Sequence, residues 1–418
     1  MLLRLLLMLG WPAYNLLLAT YVAWPRRRRT APPVPDGPVE FWIVIPCLNE
    51  ERVVGNTVRA ALALTAPGLT SRVLVVDDGS DDATPHVLAG IADPRLHVLR
   101  RELPNARKGK GAALNAAYQQ IREWTRERGL TADQVVLGVI DGDGRGSPTI
   151  LAEVAAALAD PAIGAVQCRV RIHNRDKLLG AVQDLEFGCI ADASQLLRVR
   201  MGSVGLGGNG QFTRLSALEL LGDRPWSDCL VEDMELGLRM HLAGVAIRYV
   251  WRACITQQGV TDVKRLLRQR TRWAQGNLQC ARYLPVLYRS AKVTNRALVE
   301  MSYYLLAPWM NAIGSVLVVG FWLYAGIALV ARGGLPLAGS TGALAVWLGS
   351  LLLPGVVWAL LHRLRLRDER FGRMLRAGLV YPAFLLLGLV STWRAVARQA
   401  TGRNGWAKTE RLVEAPAA

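Results

Sequence analysis

Three long apolar runs constrain the fold of this chain more than any other feature. They span residues 2–24, 305–331 and 341–361, and each reaches the roughly 20 residues that a membrane-crossing helix needs. An integral membrane protein is therefore expected. Because the first run is long and no small-residue cleavage site precedes the arginines after it, we interpret it as a retained anchor rather than a cleaved signal.

Basic residues flank these runs and predict their orientation. The formal charge is +17 at pH 7, and arginine-rich stretches at 26–29, 363–376 and 394–411 lie beside the apolar segments. This placement is typical of cytoplasmic flanks that face anionic headgroups, so we expect membrane lipids and no nucleic acid as partners of the basic surface. The prediction is a multi-pass protein of the cell (inner) membrane with its soluble domain in the cytoplasm.

The last apolar run, 377–392, is short for a membrane span. If it crossed, the basic stretch after it would lie outside the cell, against the usual distribution of positive charge. We therefore expect a re-entrant or interfacial segment here, followed by a cytoplasmic tail.

Strand-like and helix-like patterns alternate between the first and second apolar runs. The leading strand patterns are at 41–46, 72–76, 97–100 and 135–141. The helical patterns between them are at 50–64, 84–92 and 110–128. A strand-like run at 164–172 and a long helix at 177–199 follow, and a glycine-rich loop then leads into a helix at residue 213. The alternation predicts a parallel sheet with helices on both faces and ligands at the carboxyl ends of its strands.

Carboxylates follow two of the predicted strands. Asp77 and Asp78 end the second strand, and Asp141 and Asp143 stand one residue apart where the fourth strand runs into a glycine-rich turn. Because alternate residues of an extended chain point the same way, Asp141 and Asp143 are placed to converge on one Mg²⁺ or Mn²⁺ ion. Taken alone, Asp-Gly-Asp is also ordinary turn chemistry.

Two later segments carry further candidates. Glu232 and Asp233 open a predicted helix, where acids at the positive end of the helix dipole also have a purely structural interpretation. The amphipathic pattern at 263–283 predicts a helix in the headgroup layer. It contains Arg272 and Trp273, which in isolation suit membrane-interface anchors equally well. Three polar residues of the helix at 177–199 fit either a solvated face or acceptor contacts: Gln183, Asp184 and Glu186.

Together and in order, these motifs resemble the membrane-bound family 2 glycosyltransferases, which include cellulose, chitin, hyaluronan and poly-N-acetylglucosamine synthases. The resemblance rests on Ile45-Pro46-Cys47-Leu48-Asn49-Glu50, Val76-Asp77-Asp78-Gly79-Ser80, Lys108-Gly109-Lys110-Gly111, Asp141-Gly142-Asp143, Val231-Glu232-Asp233, the QxxRW motif Gln269-Arg270-Thr271-Arg272-Trp273, and the tail Trp406 to Arg411. It implies an α/β GT-A-type (Rossmann-like) cytoplasmic domain plus an α-helical transmembrane region. The chain departs from the family pattern in having valine at position 231, where threonine is usual, and in having fewer membrane segments than cellulose synthases.

The resemblance also implies roles for individual residues. The implied donor-binding residues are Pro46, Asn49, Glu50, Asp77, Asp78, Lys110, Asp141, Gln269, Arg272 and Trp273. The implied acceptor-binding residues are Gly208, Asn209 and Trp273, and the implied metal ligands are Asp143 and Asp141, with Asp143 the more direct of the two. Asp233 is the implied general base, with Glu232 beside it. The implied loop that closes over the nucleotide carries Trp406, Lys408, Thr409 and Arg411.

The expected domain organisation follows from the same patterns. The expected parts are a transmembrane helix (1–25), a linker (26–40), the GT-A catalytic domain (41–262), amphipathic interface helices (263–300), transmembrane or interfacial helices (301–396) and a cytoplasmic tail (397–418).

The leading functional expectation is an inverting, metal-dependent transferase at the cytoplasmic membrane face. It would move sugar from a UDP-sugar, UDP-glucose or UDP-N-acetylglucosamine, to a growing β-linked oligo- or polysaccharide, and the QxxRW motif favours such repeated addition. The modest membrane portion favours an alternative, single addition to a lipid or lipid-linked acceptor. A non-catalytic membrane scaffold would be expected to lack a key acid, yet all are present. A homo-oligomer or a secretion partner is compatible with either enzyme.

Overall fold

An eight-stranded sheet lies at the centre of the fold. The computed structural model describes residues 2–23, 39–332, 341–403 and 411–413, and the sheet lies within this part of the chain. Its strands are β1 (Val39–Cys47), β2 (Leu69–Asp77), β3 (Leu96–Arg100), β4 (Val135–Val139), β5 (Arg145–Gly146), β6 (Ile163–Ile172), β7 (Gln211–Arg214) and β8 (Ala246–Gln257).

Helices cover the sheet and continue beyond it. They are α1 (Leu2–Ala23), α2 (Val54–Leu62), α3 (Thr84–Ala89), α4 (Lys110–Glu127), α5 (Ile150–Leu158), α6 (Leu178–Leu185), α7 (Asp192–Met201), α8 (Leu215–Glu219), α9 (Glu232–Ala243), α10 (Val263–Cys280), α11 (Leu284–Arg289), α12 (Asn295–Arg332), α13 (Thr341–Arg365) and α14 (Phe371–Ala400). A π-helical turn, Glu186–Ala191, joins α6 to α7, so the predicted helix at 177–199 is interrupted at its middle.

Side chains of β1 alternate between the two faces of the sheet, as an extended strand requires. Phe41, Ile43 and Ile45 pack into the core under α2, α3 and α5, whereas Trp42 and Val44 pack into the core shared with α4. All five side chains are fully buried. With both faces covered, the strand ends are left as the place for a ligand.

The sheet is mixed rather than parallel. Its order is β3-β2-β1-β4-β7-β6-β8-β5. The first four strands in the chain pair in parallel, as do β6 and β8, but β7 is antiparallel to β4 and β6, and β5 is antiparallel to β8. The predicted parallel sheet is therefore confirmed for the first half and wrong for the second.

The segment at residue 213 is a strand and not the start of a helix. Gly210, at a φ of +78°, donates its backbone N–H to Val139 O (2.9 Å) and accepts from Cys168 N (2.8 Å), so the loop enters the sheet between β4 and β6. The buried polar residues Gln211 and Thr213 interrupt the apolar pattern of β7. A strand of four residues with two polar ones carries too little periodicity to be predicted.

Three of the helices contain the apolar runs that follow the α/β part. Runs 305–331 and 341–361 lie within α12 and α13, and run 377–392 lies within α14. Of the helices in the described residues, one is long and apolar enough to cross a membrane, and it is α14. Flanking residues extend the run 377–392 into a single helix of 30 residues, longer than the run alone indicated. Its re-entrant or interfacial placement stays a prediction.

Buried polar contacts attach α13 to the α/β part. Near the end of α13, His362 Nε2 lies 3.0 Å from Asp184 Oδ2, and Arg365 Nη2 lies 2.8 Å from Asp192 Oδ2. Asp184 also forms a bidentate pair with Arg171 of β6 (2.8 Å for each contact). Helix α13 is thereby held against α6 and α7.

Candidate active site

A cavity of about 930 Å³ extends from the strand ends of β1 and β4 to helices α1, α12 and α14. Many of the predicted site residues line it: Pro46, Glu50, Asp78, Lys110, Asp141, Gly208, Asn209, Glu232, Asp233, Gln269, Arg272, Trp273 and Arg411. We call the part around Asp78, Lys110, Asp141, Asp233 and Arg272 the sheet-edge half. The part lined by α1, α12 and α14 is the helix half.

Lys110 links the carboxylates of the sheet-edge half. It is the first residue of α4, and its Nζ lies 2.5 Å from Asp141 Oδ1 and 3.8 Å from Glu232 Oε1. Burial lowers the pKa of the Lys110 ammonium, but Asp141, Glu232 and Asp233 outweigh burial and hold the pKa above its ordinary value. The side chain is therefore a fixed positive charge between the two acidic motifs.

The two acids of the Asp-Gly-Asp turn point to different partners. Asp141 faces the cavity and Lys110, whereas Asp143 turns into the interior. Asp143 Oδ2 accepts from Gln258 N (2.9 Å) and lies 3.0 Å from Arg411 Nη1. Its second oxygen, Oδ1, is buried with no hydrogen-bond partner among the described residues. The two acids therefore have different partners in the structure, and their convergence on one cation stays a prediction.

A divalent cation nevertheless fits this turn. A buried carboxylate oxygen without a partner is a ready hard-cation ligand, and Asp143 Oδ1 is such an oxygen. Within the described residues, no group of three or more His, Cys, Asp or Glu side chains forms a complete metal site. This donor set suits an ion such as Mg²⁺, which one or two carboxylates hold together with substrate phosphates and water.

Glu232 and Asp233 lie at the start of α9 and face Lys110. Asp233 accepts hydrogen bonds on both oxygens, from Gly208 N on Oδ2 and from Met234 N on Oδ1 (2.8 Å). Burial and the neighbouring Asp233 carboxylate raise the pKa of Glu232 to about 7, against the opposing effect of Lys110 and Arg272. The two acids therefore differ: Asp233 is held in a fixed orientation, and Glu232 resists ionisation.

The loop before β7 connects the turn to the acid pair. Asn209 Oδ1 accepts from Asp141 N (3.2 Å), and Asn209 Nδ2 donates to Gln257 Oε1 (2.8 Å). A Cβ at Gly208 would lie 2.9 Å from both Asp233 Oδ2 and Lys110 Nζ, so only glycine fits between these two groups. Besides its implied role in acceptor binding, Asn209 therefore links the Asp-Gly-Asp turn to Gln257 of β8.

Gln167 of β6 supports this loop, a role that the sequence did not reveal. Its Oε1 accepts from Gly207 N (2.8 Å), and its Nε2 donates to Asn209 O (3.0 Å). A glutamine in a predicted strand was the available indication, since buried polar side chains in strands generally have hydrogen-bond partners.

Helix α10 brings Arg272 of the QxxRW motif to the same wall. Arg272 Nη1 donates to Leu230 O (3.2 Å), while its buried Nε has no hydrogen-bond partner among the described residues. Burial lowers the pKa of this guanidinium, although the nearby acids oppose the shift. Arginine remains charged at neutral pH, so the side chain offers an unpaired donor for an anionic group.

Close packing fixes α10 against α9. A Cβ at Gly276 would lie 2.6 Å from Val231 Cγ1, so the helix approaches Val231 as closely as its backbone allows. Valine has nearly the shape of the threonine usual at this position, and it sits in a mainly apolar cluster with Met234 and Leu238. The departure from the family motif therefore leaves the backbone next to Asp233 in place.

Arg270 and Trp273 form an aromatic and ionic group at the border of the two halves. Arg270 makes a bidentate pair with Glu186, one contact being 2.9 Å, and its guanidinium lies 4.7 Å from the centroid of the Trp273 ring. Phe187 meets Trp273 edge to face, with centroids 6.2 Å apart. Glu186 thus reaches the cavity from the π-helical turn, whereas Asp184 is engaged in the buried pairs behind it.

Two predicted donor residues do not line the cavity. Asp77 accepts from Ser80 N (2.9 Å) and pairs with Arg100 Nη1 (2.6 Å), and Asn49 exchanges hydrogen bonds with Asp81 (2.6 and 3.0 Å). Both hold strand-end loops together. Asp78 is the member of its pair that reaches the cavity, where Arg107 N donates to its Oδ2 (3.1 Å).

The part of the tail that the structure describes, residues 411–413, reaches the site. Arg411 lines the cavity beside Asp143, and Leu412 exchanges backbone-to-side-chain hydrogen bonds with Gln258 (2.8 and 3.0 Å). The other predicted members of the closing loop, Trp406, Lys408 and Thr409, lie outside the described residues.

Comparison with known proteins identifies the family. Residues 38–276, more than half of the chain, match the family model described as glycosyltransferase like family 2. The chain belongs to this family. The match confirms the family that the sequence motifs indicated, and it covers the sheet and the first part of α10.

Relatives of family 2 with different products resemble this chain. A β-monoglucosyldiacylglycerol synthase of Synechocystis is 33% identical over 251 residues, which cover 58% of this chain and 48% of the relative. A poly-β-1,6-N-acetyl-D-glucosamine synthase of Staphylococcus epidermidis is 30% identical over 240 residues, covering 56% and 53%. The chain spans about half the length of the curated relatives it matches.

A solved structure resembles the family 2 fold of this chain over most of its length. It is a mannosyltransferase of Pyrobaculum calidifontis in complex with GDP-mannose and Mn²⁺, with a TM-score of 0.56 and 20% identity, covering 89% of this chain and 94% of that one. The likeness confirms a GT-A-like glycosyltransferase fold, here with a mixed sheet.

Proposed function

We propose that this family 2 glycosyltransferase moves a sugar from a UDP-sugar to an acceptor hydroxyl, with inversion at the anomeric carbon. The observation that carries the proposal is the position of Lys110, which lies in one cavity between Asp141 on the donor side and the Glu232–Asp233 pair on the acceptor side. A transferase needs positive charge for the leaving diphosphate and a base for the acceptor, and both are present within reach of one sugar.

The donor lies in the sheet-edge half in this proposal. Pro46, Glu50 and Asp78 line the wall at the ends of β1 and β2, where the nucleoside would bind. Lys110 and the unpaired Nε of Arg272 are available to the diphosphate. Asp143 and Asp141 would hold Mg²⁺ or Mn²⁺, which when bound would stabilise the charge that develops on the leaving diphosphate.

Asp233 is the proposed general base. The acceptor oxygen forms a bond to the anomeric carbon as the bond from that carbon to the diphosphate breaks, and the acceptor proton passes to Asp233. One such displacement turns an α-linked donor into a β-linked product, by the same geometric argument that applies to inverting hydrolases. The Gly208 N–H holds Asp233 in orientation, and this fixed orientation supports its assignment as the base.

The acceptor remains open between two classes. A growing β-linked polysaccharide is the first candidate, supported by the QxxRW motif and by the relative named for poly-β-1,6-N-acetyl-D-glucosamine. A lipid or lipid-linked acceptor is the second, supported by the relative named for glucosyldiacylglycerol. We place the reaction at the cytoplasmic face of the cell membrane, supported by α14, the one candidate membrane span among the described residues, and by the arginines beside it. The multi-pass arrangement stays a prediction from the apolar runs of the sequence.

Release of UDP tests the proposal. Purified full-length protein in lipid vesicles is given UDP-glucose or UDP-N-acetylglucosamine, with Mg²⁺, Mn²⁺ or EDTA, and UDP is measured by a coupled assay. We expect release with one of the donors that EDTA abolishes. No release from any donor with either metal would contradict the proposal.

A further inference from the structure

The helix half of the cavity indicates which class of acceptor the enzyme uses. Its wall includes Tyr303 of α12 together with Leu385, Leu386 and Leu389 of α14. It is continuous with the sheet-edge half, because the same cavity is lined by Asp233 and Trp273. A molecule that places a hydroxyl at Asp233 therefore has an apolar space available for the rest of its length.

The helix half opens sideways through apolar side chains. Leu386 and Tyr303 line the cavity and yet are 59% and 46% exposed, so they stand at its rim. The outer surfaces of the same two helices expose further large apolar residues, among them Trp309, Met310, Ile313, Leu379 and Val390. An exposed apolar surface of this kind marks an interaction surface, and because it lies on the candidate membrane span we take it as the side that faces lipid.

One polar group inside the helix half has no partner. Ser391 of α14 is 1% exposed and lines the cavity, and its Oγ forms no hydrogen bond among the described residues. A buried hydroxyl usually finds a partner, either from the chain or from a ligand. Its position beside Leu385, Leu386 and Leu389 suits a ligand that combines an apolar part with a polar linkage.

We propose that the acceptor is a hydroxyl-bearing membrane lipid whose hydrocarbon chain enters the helix half past Leu386, whose polar linkage contacts Ser391 Oγ, and whose hydroxyl reaches Asp233. This inference rests on the proposed function and selects the second of its two acceptor classes. A saccharide chain is the other acceptor class, and the test below distinguishes the two.

The test compares Leu386→Trp, which fills the rim, with Leu379→Trp on the same helix. Leu379 is similarly exposed, at 43%, but does not line the cavity. Full-length protein in phosphatidylglycerol vesicles receives radiolabelled UDP-glucose or UDP-N-acetylglucosamine and either dioleoylglycerol or the short-chain dibutyrylglycerol. Label is counted in the organic extract and in water-soluble polymer, and affinity for UDP is measured by calorimetry.

We expect wild-type protein to label dioleoylglycerol with a higher kcat/KM than dibutyrylglycerol, and Leu386→Trp to lower labelling of dioleoylglycerol about tenfold or more. Leu379→Trp should match wild type, and UDP affinity should be the same in all three. Ser391→Ala should weaken KM for the lipid without lowering the urea midpoint, because its hydroxyl has no partner to lose.

Two outcomes would overturn the inference while the proposed function stands: label found only in water-soluble polymer, or equal labelling by Leu386→Trp and Leu379→Trp. Absence of UDP release from wild-type protein under every condition would instead contradict the proposed function itself.

Discussion

The two halves of the cavity differ in charge. In the sheet-edge half, the charged groups of Lys110, Asp141 and Asp233 are held by one another and by the loop before β7 within hydrogen-bond reach. In the helix half, the lining mixes leucines with tyrosines and uncharged polar side chains, and the Ser391 hydroxyl has no partner within the described residues. The first half is organised before any ligand arrives, as electrostatic stabilisation requires, and the second provides space that a ligand fills. Changes in the two should therefore have different kinds of effect.

The largest effect is expected from Asp233→Asn. This change keeps the side-chain shape but removes the base, and general-base assistance is typically worth about 10² to 10⁴ in rate. We expect kcat to fall by that factor while UDP affinity, measured by calorimetry, is retained. Asp228→Asn serves as control, since Asp228 is exposed on the same segment and pairs only loosely with Arg224 (3.5 Å). Equal kcat for Asp233→Asn and wild type would remove Asp233 from the mechanism.

Gly208→Ala tests how tightly the sheet-edge half is organised. The added Cβ would lie 2.9 Å from both Asp233 Oδ2 and Lys110 Nζ, so one of the two must move. A displacement of about 1 Å at a reacting group costs about 10² in rate, which is the expected loss of kcat.

Gly207→Ala is the matched control for this change. An added Cβ there would meet nothing within 4 Å, so activity should be close to that of wild type. If both alanine variants were equally active, the close approach at Gly208 would have no catalytic consequence.

The sheet-edge half was the more predictable from sequence. Lys110, Asp141 and Asp233 lie in short motifs at the ends of strands or the starts of helices, and parallel strands bring such ends together. The sequence could not decide between Asp77 and Asp78, because strand alternation places neighbours on opposite sides without saying which side is occupied. In the structure, Arg100 forms an ion pair with Asp77, and Asp78 lines the cavity.

Contacts between distant segments were not predictable. Gln167 binds the loop at Gly207, Glu186 pairs with Arg270 from a π-helical turn, and Asp143 meets Arg411 across most of the chain. None of these pairs produces a local periodicity, so no pattern in the sequence could indicate them. The antiparallel strand β7 was missed for the same reason, since its short polar sequence is stabilised by its neighbours β4 and β6.

Gly276→Ala probes the contact that joins α10 to the start of α9. The new Cβ would lie 2.6 Å from Val231 Cγ1, and overpacking of this kind usually costs about 1 to 3 kcal/mol in the free energy of unfolding. Urea denaturation should show that loss. The double variant Gly276→Ala with Val231→Ala removes the obstructing methyl groups and should recover part of it, giving a measurable coupling between the two sites. Gly372→Ala, where nothing lies within 4 Å, is the control. Additive effects of the two changes would mean that the helices do not depend on this contact.

The smallest expected effect concerns pH and distinguishes the two acids of the sheet-edge half. The pKa of Glu232 is raised from its ordinary 4.5 to about 7 by burial and by Asp233, so the folded chain holds a proton that the unfolded chain has lost. The stability this proton contributes is fully present below the ordinary value and is lost as the pH rises through about 7. Between about pH 5 and about pH 8, the free energy of unfolding of wild type should therefore fall relative to that of Glu232→Gln, by on the order of 1 kcal/mol.

Urea midpoints of the two proteins over this pH range give the measurement, and Glu123→Gln, at an exposed position of α4, gives the control. The Glu123→Gln protein should follow wild type at every pH, because an exposed carboxyl loses little hydration on folding. The free energy of unfolding of wild type minus that of Glu232→Gln should fall as the pH rises. If this difference stayed constant or rose with pH, Glu232 would already be ionised in the folded protein.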